Sequence, residues 1–306
     1  MSNRSLDHNQ IHSYKITMKS KILFLAFALL RTHLLGQDAL SDMVAVSASY
    51  SIVPDKKIDG LNTEVGLDQW EFQAPLFYKK IDSWMFAAGL RYQTTGLDFS
   101  DATILDENRL QSVDLAFFLS KKQSDTLDWI FLFNPNLAGD FEDIDGDAMN
   151  YMTIAAAKWK ASESFEWIFG AVYTTGLGDD LFVPAIGFTW KPTEVSSLLF
   201  AGPIIRYKYE ISDSLDLILG GQFKGNRWNT QSNQYTGTKQ ERNFRLRSYR
   251  ISASMQWNLN KNHALYATGG LDFARSVEIE LLNETELLDR DLKSAPSFEL
   301  GYKYRF

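Results

Sequence analysis

The chain has 306 residues, of which 45% are hydrophobic and 14% aromatic, and it contains no cysteine. Disulfides, cysteine-ligated zinc and a cysteine nucleophile are therefore excluded, and the aromatic content is typical of a folded chain rather than a disordered one. The formal net charge of −7 argues against a nucleic acid as a partner.

Residues 1–36 are predicted to be a secretory signal peptide. Lys19 and Lys21 precede the apolar run ILFLAFALL at 22–30, and LLGQ follows at 34–37. A short basic region, an apolar run and a small residue before a polar stretch are typical of a cleaved signal. The run is shorter than the roughly 20 residues that a membrane-spanning helix needs.

Cleavage is predicted after Gly36, and Met18, directly before the basic region, is an alternative translation start. Cleavage leaves 26 basic and 37 acidic residues and a net charge of −11. No later apolar run is long enough for a transmembrane helix, and no linker divides the chain. Residues 37–306 are therefore predicted to form one domain.

Alternation with a period of two runs through this domain and predicts strands with two unlike faces. In VAVSASYSI, Val44, Val46 and Tyr50 share one face, and Ser47 and Ser49 share the other. The apolar faces carry Trp or Tyr near their ends. The segments with this pattern are 44–52, 70–78, 84–92, 113–119, 127–133, 151–159, 165–173, 182–190, 197–201, 204–209, 215–223, 249–257, 265–273 and 298–306.

Short polar turns alternate with longer loops between these segments, which is the connectivity of an up-and-down meander. The short turns are 79–83, 121–125, 160–164, 191–194, 210–214 and 258–263. The longer loops are 54–67, 97–109, 140–149, 225–243 and 275–294, with a tight one at 176–180.

The apolar faces are predicted to meet lipid rather than a protein core. The segments are about as long as the roughly 9–11 residues of a membrane-spanning strand, whereas soluble strands average about 5–6. Trp and Tyr at strand ends suit the interfaces of a bilayer, and a closed barrel leaves no unpaired strand edge in hydrocarbon.

The chain ends in FELGYKYRF, where Phe298, Leu300, Tyr302, Tyr304 and Phe306 alternate with polar residues or glycine. This strand resembles the C-terminal recognition strand of bacterial outer-membrane proteins, which the barrel-insertion machinery reads. Together with FAGPIIRYKYEISDSLDLILGG at 200–221, it makes the chain similar to an uncharacterised family of outer-membrane β-barrel proteins of Gram-negative bacteria. The resemblance implies a fold and an outer-membrane location but no activity.

The predicted fold is all-β, a transmembrane up-and-down antiparallel β-barrel of about 14 strands, with 12 as the alternative. The number depends on Gly202 and Pro203. A tight turn there separates two strands and gives 14, an even number that places both termini in the periplasm. If Pro203 merely interrupts one strand, the number falls.

The inward faces carry charges of both signs in nearly equal number. The candidate lumen-lining residues are Glu71, Arg91, Asp114, Lys158, Glu166, Arg206, Lys208 and Arg250. Such side chains either fill a barrel interior with ion pairs or form opposed acidic and basic walls that orient a polar solute.

The long loops hold an excess of acidic residues, which suits divalent-ion bridging to anionic lipid. In DFEDIDGDAM, Asp143, Asp145 and Asp147 surround Gly146. Calcium takes several carboxylate and carbonyl oxygens, so these three aspartates are a candidate calcium site, although the spacing departs from an EF-hand loop.

The leading hypothesis for function is a channel or transporter for small polar solutes in the outer membrane. The alternatives are a non-transporting structural or adhesion barrel with a self-plugged lumen and, less favoured, a membrane hydrolase. His263 lies in a turn and is the one histidine after Gly36, so a histidine-dependent triad and enzyme activity are not expected. No cofactor is implied, the expected partners are lipid, lipopolysaccharide and the insertion machinery, and the oligomeric state is left open.

Overall fold

A computed structural model describes residues 44–100, 109–142, 144–176, 180–232, 237–283 and 285–306. The predicted signal peptide at 1–36 lies outside these ranges. The strands are β1 (Ala45–Lys57), β2 (Glu64–Ile81), β3 (Trp84–Phe99), β4 (Arg109–Lys122), β5 (Leu127–Gly139), β6 (Met149–Lys160), β7 (Phe165–Thr174), β8 (Leu181–Thr193), β9 (Ser196–Ala201), β10 (Ile204–Ser212), β11 (Leu215–Ser232), β12 (Gln240–Asn258), β13 (His263–Leu281), β14 (Glu286–Leu292) and β15 (Ala295–Arg305). Within these ranges no helix is long and apolar enough to cross a membrane.

The strands close into one antiparallel barrel. Each strand from β1 to β13 pairs with the next along the chain, and β15 pairs with both β13 and β1. β14 and β15 form a single wall segment, because β13 pairs Arg275 with Leu292 of β14 and Asp272 with Ala295 of β15. The described strands thus make a barrel of 14 wall segments, and the predicted number is confirmed.

The turn at Gly202 and Pro203 decides between a barrel of 14 strands and one of 12. Ala201 pairs with Ile204 across a two-residue turn, and Gly202 has a φ of 58°. Glycine is the residue that accepts a positive φ at the first central position of such a hairpin. Pro203 therefore stands in a turn between two strands.

The predicted short turns all lie at one end of the barrel, here called the short-turn end, together with the start of β1 and the end of β15. The opposite end, called the long-loop end, differs from the prediction. Residues 225–232 extend β11 and 240–243 belong to β12, although a loop was predicted over 225–243. The hairpin ladder continues from Leu215–Trp257 to Ser232–Gln240, since cross-strand pairing stabilises even an amide-rich strand.

The outward face of the barrel is a continuous apolar surface, as the alternation predicted. Large side chains on it are more than a third exposed, and neighbouring rings stack across strands, such as Phe165 on Phe188 at 5.5 Å and Phe188 on Phe200 at 5.6 Å. Examples on successive strands are Phe72, Trp84, Phe117, Trp129, Trp159, Phe169, Trp190, Tyr209, Leu219, Trp257, Leu265 and Phe298.

The wall is uneven at the long-loop end, where the β9–β10 hairpin is short. β9 pairs with β8 no further than Gly187, and β10 pairs with β11 no further than Gly221. β11 continues past this point and reaches across the barrel to β5, where Asn229 pairs with Gly139. The long-loop end is therefore closed as a smaller ring made of β1–β5 and β11–β15, without β6–β10.

Candidate functional site in the barrel interior

Half of the barrel interior is filled with apolar side chains. Inward positions of β3–β10 form a buried cluster around Leu132, Ile154 and Ile168, each about 1% exposed. The buried members of this cluster are each less than 10% exposed and pack against one another.

The other half contains a polar cavity of about 350 Å³, here called the interior cavity. Its walls are mostly inward positions of β1–β5 and β10–β15. The inward side chains of β1 are small, with Ser47, Ser49 and Ser51 in sequence. Gly220 and Ser252 lie directly opposite each other on β11 and β12 and also line the cavity. Such small residues leave the space that longer side chains would fill.

The first charged group of this cavity is centred on Arg91. Its Nη2 lies 2.9 Å from Asp114 Oδ1 and its Nε donates to Asp114 Oδ2 at 3.1 Å. Glu71 lies 4.0 Å away on the other side, and Asn134 donates to Asp114 at 3.2 Å. The strand register sets this arrangement, because Arg91 pairs directly with Asp114 across β3 and β4.

The second charged group is centred on Arg250. Its Nε donates to Asp272 Oδ1 at 2.6 Å and its Nη2 to Oδ2 at 2.9 Å, a bidentate pair between facing positions of β12 and β13. Glu299 Oε2 lies 3.8 Å from Nη1. A bidentate, buried pair of this kind fixes the geometry of both side chains.

Two more arginines line the cavity, and neither makes a hydrogen bond to a carboxylate of the described residues. Arg206, on β10, has no hydrogen-bond or ion-pair partner there and faces Gly220 across the β10–β11 pair. Arg275 is 2% exposed, donates Nη1 to the Lys293 carbonyl at 3.0 Å, and has no partner for Nη2 within the described ranges.

An apolar layer closes the interior at the long-loop end. It consists of Ile58, Val65, Leu97, Leu110, Ala138, Trp228, Phe244, Leu246, Val277, Ile279, Leu288 and Leu292, all buried, and is called the closing layer below. Phe244 packs edge-on against Phe99 at 6.4 Å and lies 6.1 Å from Trp228. A ring of eight or so strands is just wide enough for side chains to fill, so the crossing of β11 to β5 makes this layer possible.

Polar contacts hold that crossing in place. Asp140 N donates to the Asn229 carbonyl at 3.2 Å, and Gln231 N donates to Asp140 Oδ2 at 2.8 Å. Arg227 Nη2 donates to the Asp147 carbonyl at 3.3 Å, and Lys239 pairs with Glu142. These contacts anchor β11 over the neighbouring loop.

A protein-family model, described as a domain of unknown function (DUF6268), matches residues 76–305. The chain belongs to the DUF6268 family. A comparison of this DUF6268 protein with curated proteins gives no match.

Solved barrels resemble the DUF6268 protein at low identity. An outer-membrane channel from Pseudomonas putida F1 has a TM-score of 0.46 and 10% identity, covering 86% of this chain and 95% of its own. A Pseudomonas aeruginosa FadL homologue has a TM-score of 0.43 and 12% identity, with 87% and 92% covered. The P. putida toluene transporter TodX has a TM-score of 0.40 and 9% identity, with 86% and 90% covered.

The DUF6268 barrel brings five of the eight predicted lumen residues to the interior cavity: Glu71, Arg91, Asp114, Arg206 and Arg250. The other three face inward nearer the short-turn end and do not line it. Lys158 lies 3.4 Å from Glu166, and Lys208 lies 3.5 Å from Asp216. Contact of any of the eight with a solute stays a prediction.

The predicted calcium ligands are only partly described. Asp143 lies outside the described residues. Asp145 and Asp147 lie with Glu241, and carboxylate oxygens of the three come within 4.8 Å of one another. Glu241 lies inside the predicted loop 225–243, and no sequence pattern pointed to its contact with these aspartates, because the pairing of β11 with β12 brings it there. Calcium binding stays a prediction.

Burial and neighbouring charge raise the pKa of Glu241. The largest cause is desolvation of the carboxylate and the next is the negative charge of Asp145. His263 lies at the short-turn end, where its Nδ1 is 2.5 Å from the Tyr302 hydroxyl and its ring contacts Tyr304. It does not line the interior cavity of the DUF6268 barrel.

Proposed function

We propose that this protein is an outer-membrane β-barrel that admits small polar solutes to its interior. The observation that carries the proposal is the division of surfaces: the barrel is apolar outside and charged inside. Soluble monomers rarely expose apolar patches larger than a few hundred Å². The exposed apolar face here encircles the closed barrel, which is the arrangement that a bilayer stabilises.

The proposed orientation places the short-turn end in the periplasm and the long loops outside the cell. Both ends of the described chain, near Ala45 and Phe306, lie at the short-turn end. A signal peptide at 1–36 and recognition of the final strand by the insertion machinery belong to this proposal. So do contacts of the acidic loops with lipopolysaccharide.

Solute passage is the activity proposed for the interior cavity. Its volume of about 350 Å³ lies at the small end of the range for ligand pockets. Opposed carboxylates and guanidinium groups at Arg91 and Arg250 provide polar walls. The test is conductance in planar bilayers and solute uptake by proteoliposomes, with the heat-dependent gel mobility of a folded barrel as the control for insertion.

A non-transporting structural barrel is the second candidate, and the closing layer favours it. The apolar side chains around Phe244 block the axis at the long-loop end. If neither the wild type nor Phe244→Ala takes up solute although both are inserted, the structural barrel is the better account. Uptake by the wild type supports transport. We propose no enzyme activity, because His263 lies away from the cavity.

A further inference from the structure

The interior cavity carries an excess of positive charge, although the whole chain is acidic. Among the described residues that line it, seven are cationic, namely Arg91, Arg206, Lys224, Arg247, Arg250, Arg275 and Lys303. Four are acidic, namely Glu71, Asp114, Asp272 and Glu299. The near balance expected from the sequence therefore does not hold at the cavity, because Arg247 and Arg275 also line it.

The four carboxylates are already engaged by two of the arginines. Glu71 and Asp114 contact Arg91. Asp272 and Glu299 contact Arg250. None of these four carboxylates lies within ion-pair distance of Arg206 or Arg275.

Arg206 and Arg275 are the two cavity arginines whose guanidinium groups no carboxylate engages in the described part of the chain. Arg206 has no hydrogen-bond or ion-pair partner within the described ranges and projects into the cavity opposite Gly220. Arg275 is 2% exposed, and its Nη2 has no partner in the same ranges. A buried guanidinium nitrogen without an acceptor is costly. Arg206 is the more exposed of the two and is the one that a solute can reach, whereas Arg275 adds positive charge to the cavity wall.

A gap in the barrel wall gives a route to Arg206. Residues 181–186 of β8 have no partner on β9, and β11 has none on β10 beyond Gly221. The β9–β10 turn at Gly202 forms the lower edge of this gap, called the side opening. β9 has six residues, fewer than the roughly 9–11 of a membrane-spanning strand, so the opening begins inside the apolar band, above its midplane.

The rim of the side opening is apolar, and the cavity reaches it. Ile205 and Gly221 occupy outward positions at the edge of the wall, and together with the buried Phe223 they border the same cavity as Arg206. On the facing strand, Phe182 and Ile186 are 70% and 56% exposed. The axial route at this end is blocked by the closing layer.

We propose that the solute is a small organic anion, a carboxylate with a short apolar chain, which enters through the side opening and is held by Arg206. The apolar rim accommodates the chain and the Arg206 guanidinium binds the carboxylate. This inference rests on the proposed function, because it names the solute class and the entrance of the same cavity.

Binding is tested by calorimetric titration of the whole protein in phosphatidylcholine nanodiscs, with empty nanodiscs as the blank. The probes are hexanoate, acetate and hexylammonium. Hexanoate should bind more tightly than acetate, and hexylammonium should not bind. Arg206→Gln should weaken hexanoate binding roughly tenfold or more, as expected for loss of a charge-assisted hydrogen bond. Arg290→Gln, at an exposed position on β14, should leave it unchanged.

The entrance is tested with a matched pair of glycine variants. A Cβ at Gly220 would have its nearest contacts at 3.6 Å, and at Gly269, on the outward face, nothing lies within 4 Å. Both variants are therefore expected to fold, which heat-dependent gel mobility checks. Gly220→Leu should abolish hexanoate binding by filling the space beside Arg206, and Gly269→Leu should not alter it.

Ion selectivity separates this inference from the proposed function. In a potassium chloride gradient across a planar bilayer, the wild type should favour chloride, and Arg206→Gln should move the reversal potential toward zero. A conducting wild type that prefers potassium, or one that binds hexanoate no better than hexylammonium, overturns the inference and leaves the channel proposal standing. Absence of both conductance and uptake in inserted wild type overturns the channel proposal, and hexanoate binding in that case still supports the anion site.

Discussion

Leu219→Arg provides the most direct test of which medium surrounds the barrel. Leu219 lies on the outward face of β11 and is 43% exposed, next to Tyr207 on β10 and Ala253 on β12. If the apolar face meets lipid, a guanidinium placed there enters hydrocarbon. If it meets water, the substitution replaces an exposed apolar group with a solvated one.

The expected magnitude follows from the depth of Leu219. It is five residues above Ser214 in the short turn, which places it about 13 Å along the barrel axis for a strand tilted by about 40°. An apolar band of about 25 Å has its midplane near this height. An arginine at the midplane destabilises a barrel by about 2–4 kcal/mol, compared with about 0–1 kcal/mol near the interfaces.

The matched control is Leu282→Arg. Leu282 is 40% exposed, almost as much as Leu219, but it lies beyond β13 in the long-loop end. A substitution at such a water-exposed site is expected to change stability by no more than about 0.5 kcal/mol. The assay is guanidinium unfolding of the barrel refolded into phosphatidylcholine vesicles, followed by tryptophan fluorescence and by gel mobility.

Equal stability of the two variants would refute the reasoning. It would mean that Leu219 and Leu282 face the same medium, so the apolar outward face would not be a lipid-facing surface. The aromatic rings on that face would then need another protein to cover them, and recovery of the barrel from a soluble fraction would support that outcome.

Three further outcomes follow from individual contacts. Phe244→Ala removes a ring from the closing layer and should lower the free energy of unfolding by about 3–5 kcal/mol while raising conductance in planar bilayers; unchanged conductance would show that this layer does not limit passage. Asp114→Ala leaves Arg91 without its nearest carboxylate and should lower the free energy of unfolding by about 3–5 kcal/mol. Its control is Asp125→Ala, which breaks an exposed ion pair with Lys122 in a turn. This control should leave the midpoint of guanidinium unfolding unchanged. Equal midpoints for these two would contradict the importance assigned to burial. Because desolvation raises the pKa of Glu241, the folded state binds the proton more tightly than the unfolded chain, and stability is lost as pH rises through the folded pKa. Glu241→Gln should therefore be more stable than wild type at pH 7 and equally stable below about pH 4. The measurement is unfolding of both proteins at a series of pH values. A stability difference that does not change with pH would argue against an ionised, poorly solvated Glu241.

The alternation of single residues predicted most of the wall. Strands facing lipid on one side and a polar interior on the other must alternate with period two, and this is visible within each segment. The turn at Gly202 and Pro203 was also readable, because those two residue types have narrow backbone preferences. The extension of β11 through Trp228 was not readable, since its Asn, Gln and Thr residues have the composition of a loop and become a strand only by pairing with β12.

The period-two alternation is enough to predict a barrel with an apolar outside, because the periodicity of side chains along a strand is a local property. Which inward charges meet depends instead on the tertiary structure. Arg91 and Asp114, or Arg250 and Asp272, come together through strand register around a closed barrel. The crossing of β11 to β5 seals one end, and the short β9–β10 hairpin leaves Arg206 beside a gap in the wall. These features depend on how strands of unequal length fit together around the barrel, and no single segment of the sequence carries that information.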